Sequence, residues 1–128
     1  MTTIDRSTLL TPLAIKKEQV ALPEFGEDVS VWVHGMTARE KTQHDGHVMN
    51  SKWDGINKTR VKVQKERMVI FCCRDDDGTR ILSYDDVDAL GNWPADLLNR
   101  VFDVANQLSG GATDTEAMAK NSEETGAD

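Results

Sequence analysis

Apolar positions in this chain change their period from one stretch to the next, and each change marks an element. Val29, Val31 and Val33 alternate with Ser30, Trp32 and His34. A period of two predicts a strand with one face on a core. Gln19 to Leu22 precedes it, joined through the turn-forming cluster Pro23-Glu24-Phe25-Gly26. Residues 18–34 therefore read as a β-hairpin whose valine face covers a core. Trp32, on the other face, then needs a second cover, from a helix or another subunit.

Beyond Gly35 the period lengthens. Thr37 followed by Glu40 is a capping-box pattern and predicts a helix from Ala38 to about Ser51. Gly46 weakens it by roughly 1 kcal/mol relative to alanine. Val48, Met49 and Trp53 are the large apolar residues there, and Asp54-Gly55 marks a break. In 58–74, Val61-Lys62-Val63 alternates like a strand. Strong helix formers and the length of the segment favour a helix instead. Its end is a six-residue apolar run, Met68 to Cys73, which breaks off into Asp75-Asp76-Asp77-Gly78. This is the pattern of a core element followed by a tight solvated turn. Thr79–Leu82 is expected as a short returning strand. Ser83 should cap a short helix over Tyr84–Leu90, with Asp85 and Asp86 near its positive end. Gly91-Asn92 stops that helix, and Pro94 suits the first turn of the next. In helix 94–108, Leu97, Val101, Val104 and Leu108 form one stripe, widened by Leu98, Phe102 and Ala105. Gly110-Gly111 ends it.

These elements predict an α+β fold: an N-terminal β-hairpin packed on a small bundle of about three to four helices. Val29, Val31, Val33, Val69, Ile70, Leu97, Val101 and Val104 are the expected core. A chain of 128 residues has room for one modest core. Residues 1–17 read as a loosely ordered arm, 18–110 as the single globular domain, and 111–128 as an acidic flexible tail. The tail holds five acids and one lysine, so it supplies −4 of the total −7.

The charge argues against nucleic acid and anionic membranes as partners, and no stretch is apolar for long enough to span a bilayer. Cys72 and Cys73 are adjacent, which disfavours an ordinary disulfide; they read as reduced, buried and inert, fitting a cytosolic setting. His44, Asp45 and His47 cluster, but zinc needs three or four supported ligands, and this polar, glycine-broken segment reads as a solvated helix face. The Asp75–Gly78 run misses the calcium-loop spacing: with Gly78 at position 6, Cys73 and Tyr84 fall at the first and last ligand positions. No catalytic, metal or cofactor residue is assigned. Tryptophan is enriched in binding hot spots, so Trp32 and Trp53 are expected partner contacts, with Leu98 and Phe102 on the last helix.

In their order, the parts resemble a tail assembly chaperone of long-tailed bacteriophages. The strand Val29-Ser30-Val31-Trp32-Val33 leads into Met36-Thr37-Ala38-Arg39-Glu40, similar to that family's strand and threonine-capped helix. A basic helix ends in Met68–Cys73, followed by Arg74 and the acidic turn, then by Leu82-Ser83-Tyr84-Asp85-Asp86-Val87 and Leu90. The last helix closes with Asn106-Gln107-Leu108-Ser109-Gly110, and the acidic tail carries Lys120-Asn121. The resemblance spans about residues 18–121 and rests on order and spacing. It implies a non-enzyme that acts in the host cytoplasm and is absent from the mature virion. Such a protein binds the tape measure protein, keeps it soluble and helps recruit tail tube subunits. It works as a homo-oligomer or as several copies per client, and a longer frameshifted product is common. The alternative is a head–tail or tail structural subunit retained in the virion.

Overall fold

The computed structural model describes residues 1–49 and 55–110. In chain order its elements are α1 (Arg6–Leu9), β1 (Lys17–Ala21), β2 (Ser30–His34), α2 (Ala38–Gly46), α3 (Lys58–Val61), α4 (Gln64–Cys72), β3 (Cys73–Arg74), α5 (Val87–Gly91) and α6 (Ala95–Leu108). The α+β architecture is as expected. The hairpin of β1 and β2 pairs Val20 with Val31 and Gln19 with Trp32. A third antiparallel strand, not foreseen, adds to the free edge of β2, with Val33 opposite Cys73.

The core lies between the valine face of the sheet and helices α4 and α6. Val33, Val69, Val101 and Ala105 are fully inaccessible, and Met68, Ile70, Cys72, Cys73, Leu90 and Leu97 are nearly so. The run 68–73 is buried without a gap. It is helix as far as Cys72 and strand from Cys73, whose backbone turns extended at φ −75°, ψ 126°. No linker separates the two elements.

Several boundaries differ from the sequence reading. The single helix expected over 58–74 is broken at Lys62–Val63, where Val63 takes φ −109°, ψ 13°. The β-branched Val61 and Val63 weaken helix there. Thr79–Leu82 makes no strand; Arg80 forms one bridge to Arg74. The first helix stops at Gly46 rather than near Ser51. The Ser83-capped segment opens as a 3-10 turn over Tyr84–Asp86 before becoming α5. Pro94 caps α6 instead of entering its first turn. Val29 is 37% exposed, because it lies in the turn just before β2 at the edge of the sheet, and Val104 is only partly buried. Trp53 and the tail, 111–128, lie outside the described residues.

The capping box at Thr37 forms as expected: Thr37 Oγ1 accepts from Glu40 N, and Glu40 Oε1 accepts from Thr37 N. Glu40 Oε2 also meets Arg80 at 3.2 Å and Arg74 at 3.9 Å. Burial would raise the Glu40 carboxyl, but hydrogen bonds from Thr37 and the charges of Arg74 and Arg80 outweigh it and hold it below the ordinary glutamate range.

The solvated face expected around His44 is corrected. His44 is buried edge-on against Phe71, with ring centroids 6.2 Å apart, and its backbone oxygen accepts a buried hydrogen bond from Gln64 Nε2. Burial lowers its pKa to about 4. The unfolded chain takes up this proton near pH 6.5 and the folded chain only near 4, so stability is full above 6.5 and falls as the pH drops through that window. Between pH 7 and pH 5 the His44 contribution should amount to about 2 kcal/mol. Urea midpoints at the two pH values measure it, and His44→Gln should flatten the difference. Burial lowers the His34 and His47 pKa values too, which adds in the same direction.

Gly35 joins the end of β2 to the end of α6. A Cβ there would lie 2.5 Å from the Leu108 carbonyl oxygen. The contact is closed by a hydrogen bond from Met36 N to Ser109 Oγ at 3.0 Å. Backbone on both sides leaves little room to relax, so Gly35→Ala should cost roughly 1–3 kcal/mol, read as a lower melting midpoint.

Candidate functional site

The turn between β1 and β2 builds one wall of an apolar groove. Leu22 N donates to Val29 O at 2.8 Å and closes the loop. Inside it, Pro23–Phe25 forms a 3-10 turn, Gly26 takes φ 142°, and Asp28 adopts a left-handed φ of 62°. This backbone leaves Phe25 and Val29 exposed at the lip. The turn is fastened to α6: both oxygens of Glu24 receive the Arg100 guanidinium, at 2.9 and 2.7 Å. That contact holds the Glu24 carboxyl below its usual range.

The opposite wall comes from the segment that follows the triple-aspartate turn. Asp75 Oδ1 accepts from Asp77 N and Thr79 N, and Gly78 turns the chain at φ 81°. The chain then runs back beside the sheet and presents Ile81 and Leu82. Trp93, between α5 and α6, closes one end, its ring 5.8 Å from Phe25. Val31, Cys73 and Val101 form the floor.

The groove has a volume of about 270 Å³. Among its lining side chains only Ser30 carries a hydroxyl, and three apolar side chains at its edge, Phe25, Val29 and Ile81, face solvent. Such a surface suits apolar side chains of another segment; it presents no converging polar groups to orient a reaction. Burial pushes both the Cys72 and Cys73 thiols up to about 12, so the thiolate needed for nucleophilic attack is scarce at neutral pH. Among the described residues no three side chains of histidine, cysteine, aspartate or glutamate gather as metal ligands.

The partner contacts expected from the sequence are placed elsewhere. Trp32 lies on the outer face of the sheet, where the cover it needs comes from its own chain. Its Nε1 donates to Asp76 Oδ1 at 2.9 Å, and the Lys17 ammonium sits 4.8 Å from the ring centroid. Leu98 is buried in the core. Phe102 is half-buried, with the Lys65 ammonium 5.3 Å from its ring. None of these three lines the groove. Phe25 and Ile81, which do, were hidden inside a turn and an expected strand. The available signal was a large apolar residue within each polar connection, at a place no secondary-structure period explains.

No protein-family model and no curated protein sequence matches the chain. Its fold is similar to a solved structure, that of the bacteriophage HK97 tail assembly chaperone, with a TM-score of 0.57. The two share 17% sequence identity over 84% of this chain and 95% of that one, a likeness of fold.

Proposed function

We propose that this protein is a phage tail assembly chaperone. It binds the tape measure protein, keeps that client soluble and helps recruit tail tube subunits around it. The observation that carries this reading is the open apolar groove on a body with the fold of such a chaperone. A long helical client exposes an apolar stripe in water until the tube encloses it. A groove edged by Phe25, Val29 and Ile81 covers a few side chains of that stripe, and the acidic body around it keeps the complex in solution. Several copies along one client gain affinity through multivalency. No bond is made or broken in this role, and the protein acts in the host cytoplasm and leaves before the virion is complete.

Co-expression with the tape measure protein should give a soluble complex with several copies per client. Ile81→Asp alters an exposed side chain and should leave the melting curve intact, while weakening client capture on the order of 10- to 100-fold, the equivalent of one lost aliphatic contact. Absence of capture by the unaltered protein overturns the proposal, as does equal capture by the variant. Mass spectrometry of purified virions gives a second check. Stoichiometric presence there would replace this reading with that of a head–tail or tail structural subunit.

A further inference from the structure

The segments that build the two walls of the groove and its closed end carry acid without base. Residues 22–31, the first wall, contain Glu24, Glu27 and Asp28. Residues 81–99, which supply the second wall and Trp93, contain Asp85, Asp86, Asp88 and Asp96. Neither segment holds a lysine or an arginine. Elsewhere in residues 1–110, fourteen basic residues outnumber ten acidic ones. Apart from residues 111–128, the negative charge of the protein is therefore concentrated in the segments that form the groove.

Most of that charge is left unneutralised. Among the described residues, Glu24 is the one of the seven acids in an ion pair, with Arg100. Asp86 Oδ2 accepts from Ser83 N. Glu27, Asp28, Asp85, Asp88 and Asp96 are exposed. Glu27 and Asp28 stand between Phe25 and Val29, at the lip itself.

An apolar trough with an acidic rim selects by two properties. At about 270 Å³ the trough is under twice the ~150 Å³ that holds a benzene molecule, so it takes on the order of two aliphatic side chains. Side chains three or four residues apart on a helix lie about 5–6 Å from each other and can enter as a pair. The rim favours positive charge beside them. Lysine and arginine suit it in both parts: their methylene stems lie over exposed Phe25, Val29 and Ile81, and their charged heads reach the carboxylates. The same sign disfavours other occupants. Anionic lipid headgroups and nucleic acid are repelled, and so are residues 111–128 of this chain, at net −4. The exposed aliphatic side chains of residues 1–15 come with no net charge, Asp5 against Arg6, and gain nothing from the rim.

We infer that the groove recognises, on its partner, a helical segment with two aliphatic side chains one turn apart and lysine or arginine flanking them. This rests on the groove being a docking surface, as proposed above, and adds what selects the segment that docks. The rim also draws such a segment in and orients it, so association is fast at low salt and slows as salt screens the field.

The test mixes the full chain with two fluorescent helical peptides of about twenty residues, long enough to hold helix on their own. Both carry a leucine pair at i and i+4; in one the pair is flanked by lysines, in the other by glutamates. Fluorescence anisotropy at roughly 0.05 M NaCl should show the lysine peptide binding on the order of tenfold tighter, and the gap should narrow severalfold at roughly 1 M. Glu27→Lys/Asp28→Asn reverses charge at the lip, and asparagine tolerates the left-handed φ of 62° at position 28, so the melting curve should be unchanged. This variant should remove most of the lysine advantage. Ile81→Ser should weaken both peptides, which locates them in the groove. Equal binding of the two peptides, or a lysine advantage undiminished in the lip variant, overturns the inference and leaves the groove a docking surface if Ile81→Ser still weakens binding. No binding of either peptide overturns both. Binding to phosphatidylglycerol vesicles that Ile81→Ser weakens gives the groove to a membrane and overturns the inference, as does peptide binding lost wherever the protein sediments as an oligomer, which gives the groove to a second copy. Failure to capture the tape measure protein while the lysine advantage holds counts against the chaperone reading and leaves this inference standing.

Discussion

The structure depends on the need to bury six consecutive residues. A strand or an amphipathic helix hides one face and leaves the other to solvent. The run from Met68 to Cys73 leaves no position to solvent, so it must be enclosed from all sides. α6 covers one side and the sheet another. α5 and the Tyr84 turn close over a third, and the His44 ring meets Phe71 on the last. Phe71 shows how complete the enclosure is: the rings of His44 and Tyr84 meet it at 6.2 and 5.9 Å, and the Arg80 guanidinium lies 4.1 Å from its centroid. Because the run passes from helix into strand without a linker, one buried segment fixes the sheet edge and the helix packing together.

Around that segment, charged groups hold the irregular parts in place. Glu40 serves its own helix as a capping partner and also draws Arg74 and Arg80 toward it. Those two arginines flank the acidic turn. Glu24 and Arg100 perform a similar task across the domain, holding the hairpin loop against α6. These pairs are partly exposed, and such contacts contribute little to global stability. Their value is positional: both walls of the groove are loops, and each is tied to a regular element by one acid–arginine contact.

The sequence revealed regular structure well where periodicity was strong and poorly where enclosure overrode it. The valine alternation of β2, the Thr37 capping box and the stripe of α6 could be read directly. β3 could not, because two residues give no period and the preceding helix formers extend the helical signal up to it. His44 was misplaced for a related reason. Its neighbours Gln43, Asp45 and Gly46 are polar or small, yet the rotation of the helix turns His44 alone inward toward Phe71. The groove was the least legible part. Its walls are turns, and turn chemistry announces where the backbone bends without saying which side chain is left at the edge. The leucines of the arm were visible in composition, but only the fold shows that Leu9, Leu10 and Leu13 stay exposed among the described residues.

The Gly35–Leu108 contact gives the molecule a polarity. It brings the last turn of α6 to the same end of the sheet at which Lys17 enters, so the sheet begins and the last helix ends at one pole. The groove opens at the opposite pole. An attachment made at Lys16 or at Gly110 would therefore start from the back of the molecule, the length of the hairpin away from the mouth of the groove.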